Sequence, residues 1–153
     1  MGIEAQFTKE EVQERYSAFV GQIQQQQIKR LQMLGEQCVN HARSVPKETG
    51  FEDQTGNLRS SIGYAVFVDG VAVHSAYEEV KGGAVGAKAG ADLSQKIGER
   101  THGVCLVVTA GMNYALYVEA RGRDVIASAE QLAERELPRM LDRLIDNIRS
   151  AAE

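Results

Sequence analysis

The sequence predicts an α+β fold. A small, mainly antiparallel sheet of roughly three or four strands, with a hairpin at about residues 61–75, is packed by a long N-terminal helix and a C-terminal helix. Three observations lead there. Apolar residues recur at helical spacing over residues 9–44 and again over 128–152. Between them, residues 62–74 alternate around Asp69-Gly70. Val104-Cys105-Leu106-Val107-Val108 is a dense apolar run of strand length.

The first helix opens at a capping box, Thr8-Lys9-Glu10-Glu11, with Thr8 as cap and Glu11 reaching back. Val12, Tyr16, Phe19, Ile23, Gln27, Leu31, Leu34, Cys38 and Ala42 follow, mostly at steps of three and four. Gly21 and Gly35 are its weak points, and Pro46 ends the pattern. At 1.5 Å per residue such a helix is roughly 50 Å long, more than a small domain covers. Either it bends near a glycine, or its N-terminal part, about residues 8–27, projects and packs on another subunit. Gln24-Gln25-Gln26-Gln27 reads as a solvated helical turn.

Pro46 to Gln54 is polar and reads as a loop. Ile62, Tyr64, Val66 and Val68 then alternate with Gly63, Ala65 and Phe67. Asp69-Gly70 is the strongest two-residue hairpin signal, and Val71-Ala72-Val73-His74 forms the return strand. Residues 78–101 carry Gly82, Gly83, Gly86 and Gly90, and read as a flexible loop with one short helical piece near Leu93 to Ile97. Removing residues 82–91 is therefore expected to leave a folded domain. Val104 to Val108 reads as a central strand buried on both faces, and Asp124-Val125-Ile126 as a short strand. Ser128-Ala129-Glu130-Gln131 is a second capping box. The stripe Leu132, Leu137, Leu141, Leu144, Ile148 and Ala152 follows, and Pro138 is expected to kink or divide that helix. With no internal repeat, residues 1–153 are expected to form a single domain, with the helices on one side of the sheet.

At 153 residues and 43% apolar content, the chain has enough material for a core. Its net charge of −4 argues against a dedicated duplex-DNA binder, so no sequence-specific nucleic-acid binding is expected. No apolar run approaches the roughly 20 residues of a membrane helix, and Met1 to Ala5 lacks the pattern of a signal peptide. No membrane partner is expected. Cys38 and Cys105 are expected as buried, reduced thiols, which suits a cytoplasmic setting.

The search for chemistry finds little. His41, His74 and His102 stand at no metal-ligand spacing. Gly82 to Gly90 lacks the Gly-Lys-Ser/Thr of a phosphate loop, because Ala87 precedes Lys88 and Ala89 follows it. Glu78, Glu79 and Glu119 are carboxylates that a glycosidase would need in pairs, but the sheet is small and there is no tryptophan for sugar stacking. No catalytic residue, metal or cofactor is expected.

The distinctive residues are two motifs that read as structural joints. In Thr55-Gly56-Asn57-Leu58-Arg59-Ser60-Ser61-Ile62, Gly56 permits a turn that a side chain would block, while Leu58 and Ile62 anchor the start of the sheet. Arg59 is placed to bridge to a carboxylate, with Glu119 a candidate, or to a neighbouring subunit. In Tyr114-Ala115-Leu116-Tyr117-Val118-Glu119 the two tyrosines are three apart and share one face of a helical turn.

The first motif resembles the Thr-Gly-x-Leu-Arg-x-Ser-Ile element of the small head–tail connector, or tail-completion, proteins of tailed bacteriophages. The second is similar to their Tyr-Ala-x-Tyr-Val-Glu element. The order of elements is also similar, from about residue 28 to 150. The chain departs where it runs Glu119-Ala120-Arg121-Gly122-Arg123, since the family often continues Glu-Phe-Gly-Thr. The resemblance implies a non-enzymatic structural protein that self-associates into a ring at the head–tail junction or tail end and docks to other neck or tail proteins. It also implies assembly in the host bacterial cytoplasm followed by residence in the virion. Two other readings stand beside it: a generic adaptor that dimerises through the N-terminal helix, and a small hydrolase with an unrecognised site, which a concave pocket gathering Glu78, Glu119 and a histidine would favour.

Overall fold

A computed structural model describes residues 2–4, 6–46 and 48–152. Met1 and Ala5, at the start of the chain, Lys47, in the expected loop, the side chain of Ala152, at the end of the expected stripe, and Glu153 lie outside that description. In chain order the elements are α1 (Lys9–Ser44), α2 (Asn57–Ser60), β1 (Ile62–Val68), β2 (Val71–Ala76), α3 (Ala84–Gly98), β3 (Val104–Ala110), α4 (Ala115–Ala120) and α5 (Ala127–Ala152). This is the expected α+β class: a three-stranded antiparallel sheet with a long N-terminal and a C-terminal helix.

The capping box of α1 forms in both directions. Glu11 N–H donates to Thr8 Oγ1 at 3.1 Å, and Thr8 N–H donates to Glu11 Oε2 at 3.1 Å. The helix then runs unbroken past both glycines. Gly35 is a contact rather than a weak point, because a Cβ there would collide with the Tyr64 ring. All of the buried residues of α1, from Ile28 to Ala42, belong to its C-terminal half. Every residue from Lys9 to Gln22 is exposed, including Val12, Tyr16, Phe19 and Val20.

The hairpin forms as expected. Asp69 and Gly70 both take positive φ, 49° and 82°, the backbone of a type I′ turn that matches the strand twist. Asp69 Oδ1 also accepts from Gly103 N–H at 2.8 Å, tying the turn to the start of β3.

The sheet order is β2-β1-β3, which corrects the expectation for Val104–Val108. The fully buried central strand is β1, and β3 is an edge strand whose Val104, Leu106 and Val108 are only half-buried. Ile62, Tyr64 and Val66 project from one face of β1 into a core with Leu34, Cys38 and Val39 of α1 and with Ala129 and Met140 of α5. Ala65, Phe67 and Val107 form a second cluster on the other face.

That other face is covered by α3, which corrects two expectations at once. Residues 84–98 of the expected flexible loop are a fifteen-residue helix, and helices lie on both sides of the sheet. Gly86, Gly90, Ser94 and Gly98 recur every four residues and form the buried face of α3. A Cβ at Gly86 would strike the backbone of Asn57, one at Gly90 the carbonyl of Ser61, and one at Gly98 the ring of Phe67. These glycines set how closely the helix approaches the sheet.

Smaller expectations also change, at residues 124–126, Ser128 and Cys105. Asp124 to Ile126 forms no strand. Ser128 does not cap α5, which starts one residue earlier; its N–H donates to Asp124 Oδ1 at 3.2 Å. Pro138 lies inside α5 without dividing it. Both cysteines are free thiols, but only Cys38 is buried; Cys105 is half-buried. Burial pushes the Cys38 thiol pKa up. Among the described residues, no helix is long and apolar enough to cross a membrane.

Candidate functional site: the cleft where the two motifs meet

Asp53 builds the first motif, although it stands just outside it. It is a buried carboxylate, and its two oxygens accept from Gly56 N–H at 3.0 Å and from Arg59 N–H at 2.9 Å. Thr55 Oγ1 accepts from Asn57 N–H at 3.3 Å, closing a local turn ahead of α2. Gly56 holds φ +80°, and a Cβ there would strike the carbonyl oxygen of Val80. No other residue type suits that position. Ser60 Oγ donates to that same carbonyl at 3.1 Å and accepts from Val80 N–H at 2.7 Å. Leu58 and Ile62 are buried in the main core, as the sequence implies.

Among the described residues, Arg59 bridges to neither Glu119 nor another carboxylate. Its Nη1 donates to the carbonyl of Arg43 at 2.7 Å, and its guanidinium lies over the Phe51 ring at 5.3 Å. Glu119 is engaged elsewhere: its Oε1 accepts from Ile126 N–H at 3.1 Å and Ala127 N–H at 2.7 Å. It thereby caps the N-terminus of α5, where a carboxylate also suits the helix dipole. The second motif is thus a joint between β3 and α5, as the first is a joint between α1 and β1.

The two joints meet. Tyr114 sits at the start of α4 near Asp53 and Thr55; burial first, and then the Asp53 charge, push its pKa up, and a hydrogen bond with Thr55 opposes them. An open cleft of about 1170 Å³ lies between the motifs. Phe51, Leu58 and Val118 form its apolar part, and Tyr114 and Tyr117 line it as well. The Arg121 guanidinium lies over the Tyr117 ring at 5.0 Å. Glu48 and Glu52 supply negative charge to the rim, and Arg121 and Arg123 positive charge.

Of the eight candidate residues, Thr55, Leu58, Tyr114 and Tyr117 line this cleft, while Gly56, Arg59, Ile62 and Glu119 shape the backbone around it. Asp53, Phe51 and Arg121 were not singled out by sequence reasoning. A carboxylate three residues before a glycine that must turn was a readable signal for Asp53; Phe51 and Arg121 carried none. No histidine or cysteine lines the cleft, and neither Glu78 nor Glu119 does. Glu78 instead pairs with Arg43 at 3.6 Å. Among the described residues, no group of three or more His, Cys, Asp or Glu side chains is placed to hold a metal. The arrangement offers aromatic side chains and charges of both signs, which suits contact with a polypeptide surface.

Compared with protein-family models, with curated proteins and with solved structures, the chain matches none.

Proposed function

We propose that the chain is a structural protein of tailed-phage or prophage virion assembly. It acts at the head–tail junction or tail end by ring-forming self-association and by docking to neck or tail proteins. The phage assignment rests on the resemblance of the two motifs. The assembly role rests on one observation: the N-terminal part of α1 carries Val12, Tyr16, Phe19 and Val20 exposed, with none of the described residues packed over them. A stripe of this kind on a projecting helix suits burial by another chain. The net charge of −4 suits a ring through which DNA passes without being held.

The same stripe supports a second reading, a two-fold adaptor dimer through residues 9–30. Light scattering and negative-stain microscopy of the full chain over rising concentration separate the two. Rings support the assembly reading. A stable two-fold dimer with no ring under any condition supports the adaptor, and a chain that stays monomeric and binds no neck or tail protein removes the first reading.

A further inference from the structure

A second cleft, of about 610 Å³, lies beside the free edge of the sheet. Its walls are the half-buried face of β3, the C-terminal half of α1, and α5. Leu31, Leu106, Val108, Leu137 and Leu141 make it strongly apolar. The dense run of β3, which suggests a strand buried on both faces, leaves Val104, Leu106 and Val108 only half-buried here among the described residues. Leu141 is 44% exposed and Ile145, one turn beyond it, 46%.

We propose that this groove receives the N-terminal segment of α1 from a second copy of the chain. The inference rests on the self-association reading and names its two surfaces. Three features of the molecule select this occupant. The first is length: the stripe from Val12 to Ile23 spans about 17 Å, and the α5 wall from Ala129 to Leu144 about 22 Å, at 1.5 Å per residue. The second is charge. At about 100° per residue, Lys9 falls within the stripe, between Tyr16 and Val20, and Arg15 borders its other edge beside Phe19. Glu130 lines the α5 wall, and exposed Glu134 lies one turn further on; the groove's own cation, Arg30, stands on the opposite α1 wall. The third is reach. Both surfaces belong to the same continuous helix α1 or are packed against it, so a stripe on its N-terminal half does not fold back onto a groove formed by its C-terminal half.

Knob and groove are different surfaces of one chain, so the contact is head-to-tail, and repetition closes a ring or extends a filament. Tyr16 is 64% exposed and Phe19 37%, so each adds less than the roughly 150–250 Å² that a fully buried aromatic side chain covers. That is a fraction of the about 800 Å² per partner in a standard interface, so each contact is weak by itself, and ring closure strengthens the assembly by joining its two ends in one further, intramolecular contact.

The test uses two full-length variants in a Cys38→Ala, Cys105→Ser background, since Cys38 is a free thiol that lines the groove: Phe19→Cys, and Leu141→Cys with a mass tag. Each is oxidised alone and as a mixture at assembling concentration. The expected result is a covalent species holding one tagged and one untagged chain, formed in the mixture and lost when Tyr16→Glu is added to the Phe19→Cys variant. Phe19→Cys chains linking to one another, with no mixed species, would assign the stripe to a helix-to-helix dimer and overturn the groove assignment while self-association stands. Wild-type rings with no cross-link of either kind would also overturn it alone. A wild-type chain that scatters as a monomer throughout would remove the self-association reading together with the inference.

Discussion

Leu58 shows how a motif residue can be an interior one. It is 2% exposed and belongs to the main core, so Leu58→Ala is expected to cost roughly 2–5 kcal/mol in chemical denaturation. A change within error would mean that the site collapses around the smaller side chain. Tyr64 is buried to 1% exposure, yet its hydroxyl donates to Glu36 Oε1 at 2.8 Å and accepts from His74 Nε2 at 2.9 Å. Burial, and then the Glu36 carboxylate through its hydrogen bond and its charge, raise the Tyr64 pKa well above the ordinary value. A phenol whose folded pKa lies above its unfolded one, about 10, stabilises the fold fully below that pH. The contribution falls as pH rises towards the folded value. Melting temperature is therefore expected to drop on the alkaline side of about pH 10, and more gently in Tyr64→Phe. An equally steep fall in Tyr64→Phe would assign the alkaline loss to Tyr77 and Tyr114, whose pKa values are also raised by burial.

At the scale of elements, two glycines in helices have opposite meanings. A Cβ at Gly21 of α1 meets nothing within 4 Å, whereas at Gly86 of α3 it strikes the backbone of Asn57. Gly21→Ala is expected to stabilise by about 0.5–1 kcal/mol, since alanine loses less backbone freedom. Gly86→Ala is expected to destabilise by about 1–3 kcal/mol, because overpacking displaces α3 from α2. Parallel urea titrations check both, and equal signs would refute the assignment of Gly86 as a contact. This contrast also explains what the sequence left unread. α1 and the hairpin were legible because each has a local signature: a capping box with a helical stripe, and Asp-Gly between alternating strands. α3 was not, since glycine marks both flexible chain and close approach, and only the four-residue spacing of Gly86, Gly90, Ser94 and Gly98 separates the two. The place of β3 was equally hidden, because a dense apolar run does not reveal which strand lies between the others. The cleft between the motifs depends on Asp53 and Arg121, and their positions follow from tertiary contacts. With α3 packed on the sheet, deleting residues 82–91 is expected to lower the melting temperature sharply rather than leave a folded domain. An unchanged melting curve would mean that α3 adds nothing to the core.

The whole molecule divides into a packed body and a projecting half-helix, and the two should respond differently to the same kind of change. Tyr16 is 64% exposed and Phe19 37%, and neither belongs to either hydrophobic cluster. Surface substitutions away from such clusters usually shift stability by no more than about 0.5 kcal/mol. A Tyr16→Glu, Phe19→Glu double variant is therefore expected to melt with the parent chain. The same two charges would have to be buried unpaired in any interface that covers the stripe, and an unpaired buried carboxylate costs several kcal/mol. Sedimentation velocity of the double variant beside the parent reads that cost directly. The expected outcome is unaltered melting with self-association lost at every concentration where the parent chain assembles. If the variant assembles as well as the parent, the stripe is a solvated face and the contact between subunits lies elsewhere on the body. If it melts early instead, the N-terminal half of α1 supports the core despite its exposure, and the division into body and projection fails.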